Sequence, residues 1–233
     1  MAKLYFFYGA MNSGKTTRIL QCNYNYEEQG MRSIIMKPAT DTKGQDKIVS
    51  RIGATKKVDY LISKDENIFD LVINEYGHVD LILVDEAQFL TTRQVNQLMD
   101  IVVDLDIPVM CYGLRTDFKG NDFPGSRRLL AISHELTEIK TICECGKKAM
   151  FNVRLVNGKV ATEGESVAID GEGVSYTVAC SKCFKMKTRK KWRPGGRQRQ
   201  SAAYHRKAVH ERKRVVRLRA WKKGERNGAA LDV

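Results

Sequence analysis

The chain has 233 residues, enough for one full domain and a smaller module, and 42% of them are hydrophobic, which suffices for a buried core. It contains no run of 18 apolar residues, so the sequence predicts no membrane-spanning helix. The first predicted strand begins almost at Met1, which leaves no room for a signal peptide and predicts a cytoplasmic protein.

The net charge of +13 is concentrated near the C-terminal end. Residues 185–233 contain 18 Lys and Arg against three acids, a net charge of +15. Residues 1–184 contain 22 basic and 24 acidic residues, a net charge of −2. The chain therefore divides into a nearly neutral body and a strongly basic extension, and each is interpreted by itself.

In the body, apolar segments of strand length alternate with helical patterns. Strands are predicted over residues 3–8, 33–36, 58–62, 81–84 and 107–112, and helices over residues 15–28, 68–76 and 91–104. Residues 39–56 are predicted to form a polar loop. This alternation is typical of an α/β fold, in which a parallel sheet carries helices on both faces. The carboxyl ends of the strands should then meet at one edge and carry the site.

A glycine-rich segment follows the first predicted strand. Residues 9–16 read G-A-M-N-S-G-K-T and match the pattern G-x-x-x-x-G-K-T of a phosphate-binding loop, which predicts a P-loop NTPase-like sheet. Its backbone N–H groups and the start of the following helix would bind phosphate oxygens. Lys15 would reach the β and γ phosphates of ATP, and the Thr16 hydroxyl would hold Mg²⁺. The alternative is a glycine-rich turn that binds nothing.

Two acids, Asp85 and Glu86, end the fourth predicted strand. In a phosphoryl-transferring fold, one acid at this place holds Mg²⁺ and the next takes a proton from the attacking nucleophile. Ordinary strand-end acids facing solvent are the alternative. The residues predicted to bind ATP are Gly9, Ala10, Met11, Asn12, Ser13, Gly14, Lys15, Thr16, Asp85, Glu86, Ala87 and Gln88.

Four of the six cysteines form two close pairs, Cys143-x-Cys145 and Cys180-x-x-Cys183, with 34 residues between them. In a cytosolic protein, paired thiols point to metal rather than to disulfides, and two pairs predict a structural zinc site of four thiolates. Free buried thiols or a redox pair are the alternatives. Strand-like segments at residues 149–156 and 174–179 predict a hairpin between the pairs, joined by a glycine-containing link over residues 157–173.

Taken together, these cysteines and the motifs at residues 9–16, 85–89 and 112–118 resemble the type II thymidine kinases, which are zinc-containing deoxynucleoside kinases. The resemblance extends from about residue 3 to about residue 184. It implies transfer of the ATP γ phosphate to the 5′-hydroxyl of thymidine, for nucleotide salvage and DNA synthesis. It also implies a homotetramer and feedback inhibition by thymidine triphosphate.

The resemblance also implies roles for individual residues. Glu86 would be the general base and Lys15 the second catalytic residue, while Asp85 and Thr16 would organise Mg²⁺. The link between the cysteine pairs would close over the nucleoside as a lasso, with Asn152 near the thymidine 5-methyl group. The implied substrate-binding residues are Met11, Asp41, Phe89, Leu114, Phe118 and Tyr176. Plain core packing is the alternative for the apolar ones. A basic side chain from residues 41–51, or Arg115, would cover the transferring phosphate.

The basic extension lies beyond the resemblance. It has no single apolar face, so we predict disorder or conditional helix. It is either a solvated extension or a nonspecific anchor to nucleic acid, on whose bases Tyr204 and Trp221 would stack. The predicted parts are thus an ATP-binding α/β domain (1–141), a zinc-binding lasso domain (142–191) and the basic extension (192–233).

Two other functional hypotheses remain open from the residues alone. One is a nucleic-acid-dependent P-loop ATPase, in which Glu86 activates water and the basic extension grips DNA or RNA. The other is a zinc-stabilised nucleic-acid-binding module with a vestigial nucleotide site. The hairpin between the cysteine pairs and the apolar residues of the implied nucleoside pocket favour the kinase, and the extension favours the other two.

Overall fold

The computed structural model describes residues 1–40, 46–165 and 173–188, so Asp41 and residues 189–233 lie outside the described residues. The strands are β1 (Leu4–Tyr8), β2 (Ser33–Pro38), β3 (Lys47–Val49), β4 (Thr55–Lys57), β5 (Tyr60–Ile62), β6 (Leu81–Val84), β7 (Val109–Gly113), β8 (Glu135–Glu138), β9 (Thr141–Ile142), β10 (Lys148–Ala149), β11 (Phe151–Val156), β12 (Lys159–Val160) and β13 (Val174–Ala179). The α-helices are α1 (Lys15–Glu28), α2 (Ile68–Leu71), α3 (Thr92–Asp104), α4 (Pro124–Ile132) and α5 (Ser181–Thr188).

The described residues form a central sheet of six parallel strands in the order β5-β2-β6-β7-β1-β8. All residues of β2 and β6 are buried, as expected for parallel strands covered on both sides. Alternate residues of these strands enter two different apolar clusters. Ile34 and Ile82 pack with α2, α3 and α4, whereas Ile35 and Leu83 pack with Ile19 of α1. The predicted α/β sheet with helices on both faces is therefore confirmed.

Helices α4 and α5 were not predicted, and three further segments also differ from the predicted elements. The polar loop contains the antiparallel hairpin β3–β4, which its short polar strands concealed and which only Ile48 anchors in the core. The helix predicted over residues 68–76 has one α-helical turn, capped by Asn67, and then a π-helical segment, Val72–Tyr76. Strand β8 was not predicted because it is an exposed edge strand without a buried apolar face.

The predicted hairpin between the cysteine pairs is present. Strand β11 pairs antiparallel with β12 and β13, and α5 follows directly. We call residues 141–165 and 173–188 the cysteine module. Its buried core has six members, of which three are cysteines: Cys143, Ala149, Val153, Ala179, Cys180 and Cys183. An apolar core of this size is too small to hold a fold together without a metal or a neighbouring domain.

Within the part of the chain that the structure describes, no helix combines the length and the apolar character needed to cross a lipid bilayer.

Candidate active site

Three neighbouring strands bring the predicted catalytic residues to one edge of the sheet. Strands β6, β7 and β1 are adjacent, and Asp85, Leu114 and Gly9 each follow directly after the carboxyl end of one of them. We call residues 9–17, 85–88 and 113–114 the phosphate edge. Because parallel strands all end at the same side of the sheet, distant parts of the sequence meet here.

The glycine-rich loop has a shape that suits an anion. A Cβ added at Gly9 would lie 2.4 Å from the carbonyl oxygen of Ile139, so only glycine fits this turn. The Lys15 ammonium is buried and donates to the carbonyls of Ala10 (3.0 Å) and Gly9 (3.4 Å). Within the described residues, the buried Ser13 hydroxyl has no hydrogen-bond partner. The loop therefore offers a cation and an unsatisfied polar group for phosphate oxygens.

Asp85 and Thr16 come together at the floor of the site. The Thr16 hydroxyl donates to Asp85 Oδ2 at 3.3 Å, and the backbone N–H of Glu86 donates to Asp85 Oδ1 at 2.9 Å. The Asp85 carboxylate is buried. A carboxylate beside a hydroxyl is a set of hard oxygen donors, which is the set that Mg²⁺ prefers. These residues thus fit a magnesium ion, with ATP phosphates supplying further oxygens.

Glu86 is held in position by Gln88. Glu86 has left-handed backbone angles (φ 48°, ψ 38°), which a residue with a Cβ rarely adopts and which occur often at functional sites. The Gln88 amide donates to Glu86 Oε2 at 2.6 Å and accepts from the backbone N–H of Leu114 at 2.9 Å. A Cβ at Gly113 would lie 2.8 Å from Gln88 Oε1, so glycine is needed for this approach. Gln88 therefore holds the carboxylate of Glu86, the candidate base, in position.

An open cleft joins these groups. Lys15, Thr16 and Glu86 line it together with Met11 and Leu114. The predicted ATP-binding residues Asn12, Ser13 and Gly14 line it too, whereas Gly9 and Ala10 border a separate small pocket with Arg115. The acid, the lysine and two implied substrate residues are thus brought to one cavity.

The hairpin β3–β4 closes one side of this cleft. Ser50 is buried and its hydroxyl lies 2.6 Å from that of Thr17 in α1, while Lys37 Nζ donates to the carbonyl of Lys47 at 3.4 Å. These contacts bring the exposed Arg51 to the wall of the cleft. The described residues include three of the basic positions predicted to cover the phosphate, namely Lys47, Arg51 and Arg115. Of these three, only Arg51 lines the cleft with Lys15 and Glu86.

The remaining implied substrate residues lie in two groups. Phe89 meets Phe123 edge to face, with ring centroids 5.6 Å apart. Phe118 and Tyr176 instead flank one guanidinium, that of Arg154. Asp41 lies outside the described residues. Their direct contact with a nucleoside stays a prediction.

Asn152 of β11 connects the cysteine module to the glycine-rich loop. Its buried side-chain amide accepts from the backbone N–H of Met11 at 2.8 Å and donates to the carbonyl of Thr116 at 3.3 Å. Nearby, Phe151 of β11 stacks on Phe184 of α5 with centroids 4.5 Å apart. The module is therefore hydrogen-bonded to the glycine-rich loop and to the segment that carries Phe118.

The four paired cysteines converge as predicted. Their sulfurs all lie within 4.8 Å of one another, and Cys145 Sγ lies 3.6 Å from Cys180 Sγ. A tetrahedral zinc with Zn–S bonds of about 2.3 Å needs sulfurs roughly 3.8 Å apart, so the cluster fits zinc. The backbone N–H of Cys183 donates to Cys180 Sγ and lowers the pKa of that thiol to about 6, which favours the thiolate that binds metal.

Three contacts at the candidate site escaped the sequence-based prediction. Arg154 and Ser50 were not singled out, and Gln88 was assigned to ATP rather than to Glu86. The sequence did contain a signal for Arg154, because it is a charged residue within an otherwise largely apolar predicted strand. A buried charge in such a strand needs polar partners. No local signal existed for Ser50, because its partner Thr17 lies 33 residues away.

Comparisons with known proteins agree with this geometry. The sequence profile of the family described as "Thymidine kinase" matches residues 2–184. The thymidine kinase of Shewanella oneidensis is 49% identical over 189 residues, which are 79% of this chain and 97% of that protein. The thymidine kinase of Rhodopirellula baltica is 49% identical over 189 residues (79% and 89%), and that of Escherichia coli K12 is 47% identical over 189 residues (79% and 91%).

Among solved structures, the AMPPCP-bound DnaA of Aquifex aeolicus overlaps at a TM-score of 0.36 and 23% identity, over 60% of this chain and 41% of that one, which is too low to inform fold or function. The profile match and the relatives confirm the resemblance and decide against the two nucleic-acid hypotheses as the primary function. The chain belongs to the thymidine kinase family.

Proposed function

We propose that the chain transfers the γ phosphate of ATP to the 5′-hydroxyl of thymidine with Glu86 as the general base. The observation that carries this proposal is the Gln88 bridge, which holds the Glu86 carboxylate in the same cleft as Lys15 and Leu114. A carboxylate so placed can accept a hydrogen bond from an alcohol and later its proton. The oxygen of this hydroxyl group can then attack the γ phosphorus of ATP in line with the bond to the departing ADP.

Phosphoryl transfer needs alignment and charge neutralisation more than covalent help from the protein. Lys15 and the N–H groups of the glycine-rich loop would bind the ATP phosphates. Thr16 and Asp85 would hold Mg²⁺, which neutralises phosphate charge when bound. Gln88 would keep the Glu86 carboxylate aimed at the hydroxyl, because its other end is fixed on the backbone of Leu114.

We assign Arg51 as the cation that covers the transferring phosphate. It lines the same cleft as Glu86, on a hairpin tied to α1 by the Ser50–Thr17 contact. A guanidinium there can bind two phosphate oxygens at once. Arg51→Lys should lower kcat more than it raises the KM for thymidine. Lys57→Gln on the same hairpin removes an exposed charge and is the matched control.

The four cysteines of the cysteine module would hold a structural zinc, and Met11, Phe89, Leu114, Phe118 and Tyr176 would surround thymidine, with Asp41 near the sugar. We further propose that the chain is divided into three parts at residues 142 and 192, as the sequence predicts.

A turnover assay with ATP and each deoxynucleoside tests the proposed function. Phosphate transfer to thymidine supports it, and ADP release that needs nucleic acid but no nucleoside would refute it.

The family resemblance suggests a cytoplasmic homotetramer, and the basic extension suggests a nonspecific anchor to nucleic acid. Light scattering that detects only monomer at assay concentration would refute the tetramer. The full-length chain should bind DNA or RNA with an affinity that falls by roughly 0.7–0.9 log unit per log unit of salt for each phosphate neutralised. Absence of binding even at low salt would refute the anchor.

A further inference from the structure

Arg154 is a buried cation in the middle of the cysteine module. It lies on β11 directly opposite Tyr176 on β13 and is only 4% exposed. Its Nε donates to the Tyr176 hydroxyl at 2.8 Å, and its Nη1 donates to the backbone carbonyl of Glu165 at 2.7 Å. A buried charge is costly unless several partners receive it, so this arrangement calls for a reason beyond packing.

The same guanidinium also reaches the α/β body. Its Cζ lies 3.8 Å from the centroid of the buried Phe118 ring and 5.5 Å from that of Tyr176. Contact at 3.8 Å places the planar group against the ring face, where the cation–π attraction is strong. Among the described residues, Arg154 thus touches three separate segments, namely the loop after β7, strand β13 and the chain at Glu165.

We propose that Arg154 is a positioning residue of the nucleoside pocket. It fixes the Phe118 ring, the Tyr176 hydroxyl and the main chain at Glu165 relative to one another, so that the pocket is formed before thymidine binds. This inference rests on the proposed placement of thymidine between Phe118 and Tyr176. Preorganisation of this kind raises affinity because the ordering cost is met in the free protein.

The chemistry of arginine is what the position requires. Its fork of N–H donors serves two acceptors while its flat face stacks on a ring. Lysine supplies one point charge on a flexible stem and cannot hold both acceptors and stack as well. Arg154→Lys should therefore preserve the charge and the fold but lose the alignment.

The test measures KM for thymidine and for ATP, and kcat, in the full-length enzyme. Arg154→Lys should raise the KM for thymidine by about 10- to 100-fold, the scale of a lost charge-assisted hydrogen bond, and leave the KM for ATP within about twofold. Tyr176→Phe removes the acceptor, and the Arg154→Lys/Tyr176→Phe pair should be less than additive because the two residues act together. Lys159→Met, an exposed charge on the same small sheet, is the control.

Three outcomes would overturn the proposal. Arg154→Lys with unchanged thymidine KM, an equal rise of both KM values, or full additivity with Tyr176→Phe would each reduce Arg154 to a structural cation. Unchanged melting temperature and zinc content show that the variant folds. Phe118→Ala separates the proposed pocket from the proposed role of Arg154. If Phe118→Ala leaves the KM for thymidine unchanged, the proposed pocket itself is wrong. If Phe118→Ala raises this KM and Arg154→Lys does not, only the positioning role is refuted.

Discussion

The phosphate edge and the cysteine module build their halves of the active site in different ways. The phosphate edge stands on three adjacent parallel strands of the main sheet, of which β6 is fully buried, and its contacts run mainly between neighbouring residues and adjacent strand ends. The cysteine module has a core of six residues, half of them cysteines, and meets the body through individual side chains such as Asn152 and Arg154.

This difference predicts different responses to damage. The phosphate edge is supported by the main core, so a change of one side chain there should alter chemistry and leave the fold intact. The cysteine module has little apolar support, so loss of the proposed zinc should loosen every contact that the module makes with the proposed pocket. Changes in the phosphate edge should therefore impair catalysis and phosphate binding, and changes in the cysteine module should impair nucleoside binding.

The largest effect is expected from Glu86→Gln. The change keeps the hydrogen-bonding shape but removes the base, so kcat should fall by about 10²–10⁴-fold while ATP and thymidine still bind. Steady-state kinetics with binding measured by calorimetry checks this. Glu135→Gln, at an exposed ion pair on β8, should behave as the wild type. A kcat near the wild-type value would remove Glu86 from the role of base.

Loss of zinc tests the other side of the comparison. Cys180→Ser should reduce the zinc content from about one per chain and raise the KM for thymidine by roughly tenfold, with less effect on ATP, because the module loses its staple. Metal analysis and kinetics are the measurements, and Cys22→Ser, outside the cluster, is the control. Full metal loading in a Cys143→Ser/Cys180→Ser variant would contradict the site.

Gln88→Met tests how far the phosphate edge depends on the Gln88 amide, which joins Glu86 to the backbone of Leu114. It removes a hydrogen bond to the Glu86 carboxylate and leaves the Leu114 N–H without this acceptor, so kcat should fall about 10-fold with little change in the KM for ATP. Gln21→Met, on the exposed face of α1, is the matched control. A kcat equal to that of the control would mean that Glu86 needs no support from Gln88.

The smallest effect is expected from removal of the basic extension. A chain ending at Lys191 retains every residue proposed for catalysis and zinc binding, so its kcat and both KM values should stay within about twofold of the full-length enzyme, as for changes remote from a site. Kinetics on protein of matched oligomeric state checks this. If catalysis disappears in a soluble, correctly assembled protein, the extension belongs to the architecture of the enzyme.

The sequence by itself determined the features that short-range patterns carry. The loop at residues 9–16, the acids after β6, the helix α1 and the two cysteine pairs were all predicted, because each is a local motif whose residues lie within a few positions of one another. The order of strands and helices was enough to predict the sheet and its site-bearing edge.

Only the tertiary structure decided which side chains serve one another across the chain. The Ser50–Thr17 contact, the Asn152 bridge to Met11 and the stacking of Arg154 on Phe118 join residues separated by 33, 141 and 36 positions. Such contacts depend on strand register and on how the module packs against the body. The hydrophobic periodicity of a single helix or strand does not encode these contacts, so the partners of Arg154 were identified only in the folded chain.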